Sequence, residues 1–143
     1  MYKVLLVDDE YMITEGLKRL IPFEKWDMEV VATANHADDA LDYVREHPVD
    51  VVISDVNMPD KTGLEMIGEM KELLPDAYYI LLSGYQEFDY VKKAMNLNVV
   101  DYLVKPVDKV ELEHLLEKIL GQLREKVHGP EMLSQKLDEE AFK

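Results

Sequence analysis

The sequence predicts an α/β protein built around a doubly wound (βα)5 parallel five-stranded sheet. Five strand-like runs recur along the chain, and each is followed by a segment with helical periodicity. The runs are short, β-branched and aliphatic without polar alternation, which is typical of strands buried on both faces of a parallel sheet. The predicted strands are residues 2–7, 29–34, 49–54, 77–82 and 99–104.

The segments between these strands have apolar residues at helical spacing and end where helix is disfavoured. The first three helices are predicted at about residues 10–20, 37–47 and 63–74. Each ends close to a proline, because proline and the residue before it do not favour helix. These prolines are Pro22, Pro48 and Pro75.

The last two helices are predicted from the same periodicity. The fourth begins after Tyr85 and ends near residue 95, and the fifth begins after Asp108, a predicted N-cap. Trp26, in the loop after the first helix, is predicted to pack over the core. The predicted inward-facing residues are Ile13, Leu17 and Leu20; Ala40, Leu41 and Val44; Met66 or Ile67, Met70 and Leu74; and Leu112, Leu115, Leu116, Ile119, Leu120 and Leu123.

The length and composition of the chain predict one domain with a short extension. We expect residues 1–126 to form the domain and residues 127–143 a C-terminal linker or tail, because neither Gly129 nor Pro130 favours continuation of a helix. The net charge of -14 disfavours direct binding to nucleic acid or an anionic membrane, and favours a cationic partner or a metal.

Targeting and redox features are also informative. The chain has no cysteine, which excludes disulfides and thiolate metal sites and is compatible with the cytosol. No apolar run has the length of a membrane span, and Lys3 together with the early acidic residues interrupts any signal peptide. We therefore expect a cytoplasmic protein with no membrane partner.

Acidic residues follow two of the predicted strands. Asp8 and Asp9 come directly after the first strand, and Asp55 follows the third. The carboxyl ends of parallel strands meet at one edge of a sheet, so the three carboxylates should lie close together. At about 4 Å two such charges repel by about 4 kcal/mol at an effective dielectric constant near 20. A bound divalent metal would reverse the sign of that interaction.

A hydroxyl and an ammonium complete the set at the same edge. Ser83 follows the fourth strand and Lys105 follows the fifth. Mg2+ prefers a few carboxylates together with water and phosphate oxygens, which suits Asp8 and Asp9. Asp55 is then free to act as a nucleophile toward a phosphoryl group, with Lys105 and Ser83 holding the remaining phosphoryl oxygens.

These residues resemble the response-regulator receiver domain of two-component signalling, a flavodoxin-like or CheY-like fold. The resemblance covers about residues 2–124. It lies in the motifs LVDDE at 6–10, ISDVNMP at 53–59, LSG at 82–84 and DYLVKP at 101–106. Residues 22–26 and 83–94 further resemble receivers that precede AraC-type helix-turn-helix output domains.

The resemblance implies a role for each site residue. Asp55 would be the phosphoacceptor, and Asp9, Asp55 and the backbone carbonyl of Asn57 would bind Mg2+ directly, with Asp8 acting mostly through water. Lys105 would pair with the phosphoryl group, and its bond to Pro106 would be cis. Ser83 and Tyr102 match the switch positions of the family.

The resemblance also implies a function and partners. The chain would accept a phosphoryl group from a sensor histidine kinase or a small phosphodonor, with self-catalysed phosphotransfer and autodephosphorylation as its only chemistry. Output, expected to be transcription, would require a C-terminal DNA-binding domain that this chain lacks. A homodimer is expected through the fourth helix, fifth strand and fifth helix. Heptad spacing on the fifth helix, rather than the family, suggests a seam at Leu116, Leu120, Leu123 and Val127. Leu116 and Leu120 fit the core at least as well, so Leu123 and Val127 are the expected interface residues.

Other functions stay open at this point. The chain could be a stand-alone receiver, or a degenerate receiver that acts only as an interaction module, although the complete set of acids, hydroxyl and lysine speaks against the latter. A metal-dependent aspartyl phosphatase would typically carry a second acid two residues after the nucleophile. Here that position is Asn57.

Overall fold

A parallel sheet forms the centre of the molecule in the computed structural model, which describes residues 1–58, 60–84, 99 and 101–139, with residues 126–139 described by their backbone only. Within these residues the sheet has five strands in the order β2-β1-β3-β4-β5, all parallel. This confirms the predicted fold class. The strands are β1 (Tyr2–Val7), β2 (Met28–Ala34), β3 (Val51–Asp55), β4 (Tyr78–Ser83) and β5 (Asp101–Val104).

The helices in the described part of the chain follow the predicted order. They are α1 (Tyr11–Leu20), α2 (Ala37–Glu46), α3 (Gly63–Leu73) and a C-terminal helix (Lys109–Glu139), with a short 3-10 helix at Phe23–Trp26. The bounds of the first three agree with the prediction to within one residue. The Asp108 carboxylate accepts the Glu111 N–H at 3.1 Å, which confirms the predicted N-cap. The predicted fourth helix falls outside the described residues.

Two apolar clusters cover the two faces of the sheet, because successive strand residues point to opposite faces. Val4, Leu6 and Ile53 pack with α1 and the C-terminal helix on one face. Leu5 and Val52 pack with α2 and α3 on the other. Trp26 is partly buried against the first cluster, as predicted. Both faces are therefore covered, as the absence of polar alternation in the strands predicted.

Most predicted inward-facing residues are buried, but α1 departs from the prediction. Leu17 is buried and Ile13 packs against the core, whereas Leu20 is 41% exposed and Thr14 is buried instead. Met12, on the same helix, is 75% exposed. A helix that contacts the sheet with a narrow stripe buries only part of an apolar pattern, so residues at its margin stay in solvent.

The C-terminal helix is longer than the sequence predicted. Its backbone stays helical through Gly129 and Pro130, so the helix end expected there was wrong. A proline removes one N–H from the hydrogen-bond ladder and can be accommodated within a long helix with local bending. The domain bounds of 1–126 and 127–143 stay a prediction.

The leucines proposed as a dimer seam belong to the core of the monomer. Leu116, Leu120 and Leu123 are 0%, 8% and 5% exposed and pack in the cluster against the sheet. The prediction that Leu123 lies at an interface was wrong, since the helix uses this stripe to cover its own sheet. The side chain of Val127 falls outside what the structure describes.

Candidate functional site

The predicted site residues lie at the carboxyl ends of four strands. Asp8 follows β1, Asp55 is the last residue of β3, Ser83 is the last residue of β4 and Lys105 follows β5. Asp55 is in register with Leu82, the residue before Ser83. The Lys105 N–H donates to the Ser83 carbonyl at 2.6 Å. The parallel register thus brings residues that are far apart in sequence to one edge of the sheet.

The ammonium of Lys105 lies between two buried carboxylates. Its Nζ donates to Asp8 Oδ2 at 2.9 Å and lies 3.3 Å from Asp55 Oδ1. Only 1% of Asp8 and 5% of Asp55 are exposed, so neither charge is well screened by solvent. The sequence predicted that Lys105 would pair with a phosphoryl group on Asp55, but it did not predict the bond to Asp8.

Burial and mutual repulsion make this edge unfavourable for negative charge. Burial and the neighbouring Asp8 raise the pKa of Asp55 to about 6, even though Lys105 and the backbone N–H of Asn57 favour its charged form. Burial likewise raises the pKa of Asp8, while the N–H of Glu10, donating to Oδ1 at 2.9 Å, opposes that shift. The site therefore favours an additional cation.

The same site favours the charged form of Lys105, although it disfavours the charged forms of Asp8 and Asp55. Burial alone would lower the pKa of its ammonium, but the hydrogen bond to Asp8 and the attraction of both carboxylates raise that pKa above its ordinary value. The ammonium consequently stays charged at neutral pH, and it can stabilise negative charge that develops beside Asp55.

The acids after β1 fit a divalent cation. Asp8, Asp9 and Glu10 can each offer one oxygen, and these oxygens lie within 4.8 Å of one another. Hard oxygen donors of this kind suit Mg2+. Asp9 and Glu10 are exposed while Asp8 is buried, so the group opens to solvent on one side. Sequence analysis did not assign Glu10 a role; its adjacency to Asp8 and Asp9 was the available signal.

The connection from β3 to α3 holds Asp55 and Asn57 in place. Asn57 is exposed, and its backbone N–H bonds the Asp55 carboxylate. Thr62 and Glu65 form a reciprocal capping box that starts α3, with bonds of 2.9 and 3.1 Å. Gly63 follows, and a Cβ at this position would collide with the backbone carbonyl of Asp55. Only a residue without a side chain lets α3 begin so close to the site.

The remaining predicted residues lie around this centre. Ser83 is fully buried, and Tyr102 is partly buried against the cluster formed with α2 and α3. The Lys105–Pro106 peptide bond is cis, as the resemblance implied. Residues 85–98 fall outside the described residues.

A doubly wound parallel sheet with buried carboxylates and a lysine at its carboxyl edge defines a class of α/β proteins whose sites lie at strand ends. The chain belongs to one family within this class, the response regulator receiver domain, whose family model matches residues 4–117. Receiver domains of this family are signalling domains of two-component systems, and they generally bind Mg2+ at an acidic cluster.

Individual relatives agree with this assignment. The chain is 41% identical over 129 residues to an uncharacterized response regulatory protein of Staphylococcus epidermidis, covering 90% of this chain and 51% of that protein. It is 38% identical to the transcriptional regulatory protein HptR of Staphylococcus aureus, covering 87% and 49%. The chain thus spans about half the length of these curated relatives.

A solved structure supports the same conclusion. The REC domain of AraT, a response regulator from Geobacillus stearothermophilus, matches with a TM-score of 0.82 at 38% identity, covering 87% of this chain and 97% of that one. None of the helices in the described part of this chain is both long and apolar enough to cross a membrane.

Proposed function

We propose that this chain is a phospho-accepting switch in which Asp55 receives a phosphoryl group. One observation carries the proposal: the Lys105 ammonium lies between the buried carboxylates of Asp8 and Asp55. A nucleophilic carboxylate, a fixed cation and an adjacent group of acids are the parts that phosphoryl transfer to an aspartate requires.

The step itself uses an oxygen of the ionised Asp55 carboxylate. This oxygen attacks phosphorus, a new P–O bond forms, and the bond from phosphorus to the donor's leaving group breaks with its electron pair departing on that group. Lys105 stabilises the negative charge that spreads over the phosphoryl oxygens. The pKa of Asp55 near 6 leaves the carboxylate largely ionised at neutral pH.

The proposed direct ligands of Mg2+ are Asp9, Asp55 and the backbone carbonyl of Asn57, with Asp8 acting mostly through water. When bound, this cation would neutralise charge on the phosphoryl oxygens. Glu10 belongs to the same group of acids and is a further candidate for a bond through water. The chain's own contribution is to hold these oxygens together despite their repulsion.

Signal output is proposed to begin at Ser83 and Tyr102. A hydroxyl at the end of β4 can bond a phosphoryl oxygen on Asp55, since Ser83 follows the residue in register with Asp55. We propose that this bond draws in the loop after β4 and that Tyr102 rotates inward with it. A local change of charge would thereby alter a surface that a partner contacts.

The proposed donor is a sensor histidine kinase or a small phosphodonor, and the proposed output is transcription. The name of HptR as a transcriptional regulatory protein supports this output, together with the chain's coverage of about half of that relative. DNA contact would then belong to a C-terminal domain outside this chain, since the net charge of -14 opposes DNA binding here. The cytoplasmic location stays a prediction.

Intact mass spectrometry tests the phosphoacceptor. Incubation with acetyl phosphate and Mg2+ should add one phosphoryl group to the wild-type chain and none to Asp55→Asn. Asp42→Asn is the matched control, because Asp42 is an exposed carboxylate on α2 that pairs with Arg45 away from the site. A phosphoryl group retained by Asp55→Asn would refute the assignment.

A further inference from the structure

The N-terminus of α2 is capped by a residue from a different element. The side chain of its own N-cap, His36, makes no capping hydrogen bond. Asp60, in the connection after β3, supplies the acceptors instead: Oδ1 takes the Ala37 N–H at 3.1 Å and Oδ2 takes the Asp38 N–H at 2.9 Å. Both carboxylate oxygens of one residue thus fasten this connection to the first turn of α2.

The next residue strengthens the same junction. Lys61 Nζ lies 2.6 Å from Glu69 Oε2 on α3 and 3.5 Å from Asp38 Oδ1 on α2. Asp60 and Lys61 together therefore join both helices to the connection that follows Asp55. Partial desolvation opposes ionisation of Asp60, but the N–H bonds, led by those of Asp38 and Ala37, lower its pKa below the ordinary value.

The segment that Asp60 contacts also reaches the acids after β1. The Asp8 N–H donates to the Ala34 carbonyl at 3.0 Å, and Asn35 Nδ2 lies 3.5 Å from the Asp8 carbonyl. Residues 34–38 consequently lie between the Asp8–Glu10 acids and the connection that carries Asn57. The acids Asp8–Glu10 and the connection that carries Asn57 are the two halves of the proposed Mg2+ site. Both halves are bonded to residues 34–38.

The connection after β3 is held at its base as well. The Gly63 N–H donates to the Val56 carbonyl at 2.6 Å, which holds the two ends of this connection together. Asn57 lies inside this loop, between the closed base and the Asp60 bonds. Asn57 precedes Asp60 by only three residues, so the bonds that hold Asp60 limit the positions open to the Asn57 backbone carbonyl.

We propose that Asp60 is a positioning residue for Mg2+ binding, because it ties the Asn57 loop to the segment that contacts Asp8. This inference rests on the proposed function, which places Mg2+ between these two halves. Without the bonds of Asp60, the loop would have to be ordered when the metal binds, and that ordering free energy would be lost from the affinity.

Mg2+ affinity, measured from the rise of the melting temperature with Mg2+ concentration, tests this role in the full chain. Asp60→Asn should weaken Mg2+ binding by about ten-fold or more, the range typical for residues that orient ligands. The Mg2+ concentration that half-saturates labelling by acetyl phosphate should rise by the same factor. Asp39→Asn is the control, since Asp39 is an exposed acid on the same turn of α2 that pairs with His36; its affinity should match wild type.

A second variant separates positioning from helix capping. His36 has the extended backbone of an N-cap, with φ -140° and ψ 153°, so His36→Ser can cap α2 locally. In the Asp60→Asn background, this change should restore the melting temperature measured in EDTA without restoring Mg2+ affinity. Recovery of both would show that Asp60 only caps the helix, and the inference would be overturned.

The outcomes also separate this inference from the proposed function. Equal Mg2+ affinity in wild type and Asp60→Asn would reject the positioning role while leaving the metal site intact. A wild-type chain that melts at the same temperature in Mg2+ and in EDTA would reject the metal site itself.

Discussion

At the scale of single residues, the fold holds Asp55 where its charge is unfavourable. The carboxylate is buried next to Asp8, and its pKa is raised to about 6. Residues held at such a cost often belong to functional sites, where a ligand later supplies the missing interaction. Here Lys105 offsets part of the cost, and a phosphoryl group with its metal would offset more.

Removing this charge should stabilise the metal-free protein. In EDTA at about pH 7.5, Asp55→Asn should raise the free energy of unfolding by about 2–3 kcal/mol, since the folded-state pKa lies above the ordinary 3.8. Between about pH 4 and pH 6 the folded chain keeps a proton that the unfolded chain has released. The stability of the wild-type chain therefore falls as pH rises through this range. The increase in the free energy of unfolding caused by Asp55→Asn should become larger over the same rise in pH.

Urea denaturation at several pH values measures this effect. Asp42→Asn provides the control for loss of an exposed carboxylate. If Asp55→Asn raises the free energy of unfolding equally at pH 4 and pH 7.5, the stabilisation does not come from removing the ionised Asp55 carboxylate.

At the scale of elements, the junction of β3 and α3 depends on close approach of two backbones. Gly63 starts α3 directly against the Asp55 carbonyl, and the capping box of Thr62 and Glu65 sets where the helix begins. Helix α3 therefore constrains the backbone of Asp55, the proposed phosphoacceptor. Any side chain at residue 63 has to displace that backbone.

Two glycines of α3 offer a matched pair of substitutions. Gly63→Ala should destabilise the protein by about 1–3 kcal/mol through overpacking, and it should reduce labelling by acetyl phosphate because Asp55 moves. At Gly68 a Cβ would meet no atom within 4 Å. Gly68→Ala should therefore stabilise the helix by up to about 1 kcal/mol without affecting labelling. If both substitutions change stability and labelling equally, the close approach of residue 63 to the Asp55 carbonyl would be contradicted.

At the scale of the whole molecule, we expect a partner to bind the surface around β5 and the start of the C-terminal helix. β5 is an edge strand of the sheet. Val110, on the first turn of the C-terminal helix that follows β5, is 58% exposed, whereas Leu112, Leu116 and Leu120 of that helix are buried. A homodimer that uses this surface would have to form without the leucine seam.

We expect phosphorylation, or a beryllofluoride mimic, to shift the chain toward a dimer, because closed two-fold pairing is the commonest assembly. Light scattering measures the shift, and Ser83→Ala and Tyr102→Ala should each weaken it. Val110→Asp should also weaken it, while Met12→Asp on the exposed part of α1 should not. An unchanged mass with the mimic would mean that the partner is another protein.

The sequence alone determined the strands, the bounds of α1, α2 and α3, and the residues at the strand ends. Continuous aliphatic runs predict buried parallel strands because both faces are covered, and the acids that end such runs must lie at one edge of the sheet. The motifs around Asp8, Asp55 and Lys105 indicated the family that the comparisons then showed. These features are local in sequence, so periodicity and motif spacing carry them.

Only the tertiary structure decided which partners those residues meet. Lys105 bonds Asp8 across a sequence separation of 97 residues, and Asp60 caps α2 across 23. Local periodicity carries no information about either contact, because both depend on strand order and on how loops cross the edge of the sheet. Helical periodicity also could not show that Leu123 covers the sheet of its own chain. A helix face that packs in a core and one that packs in an interface are equally apolar.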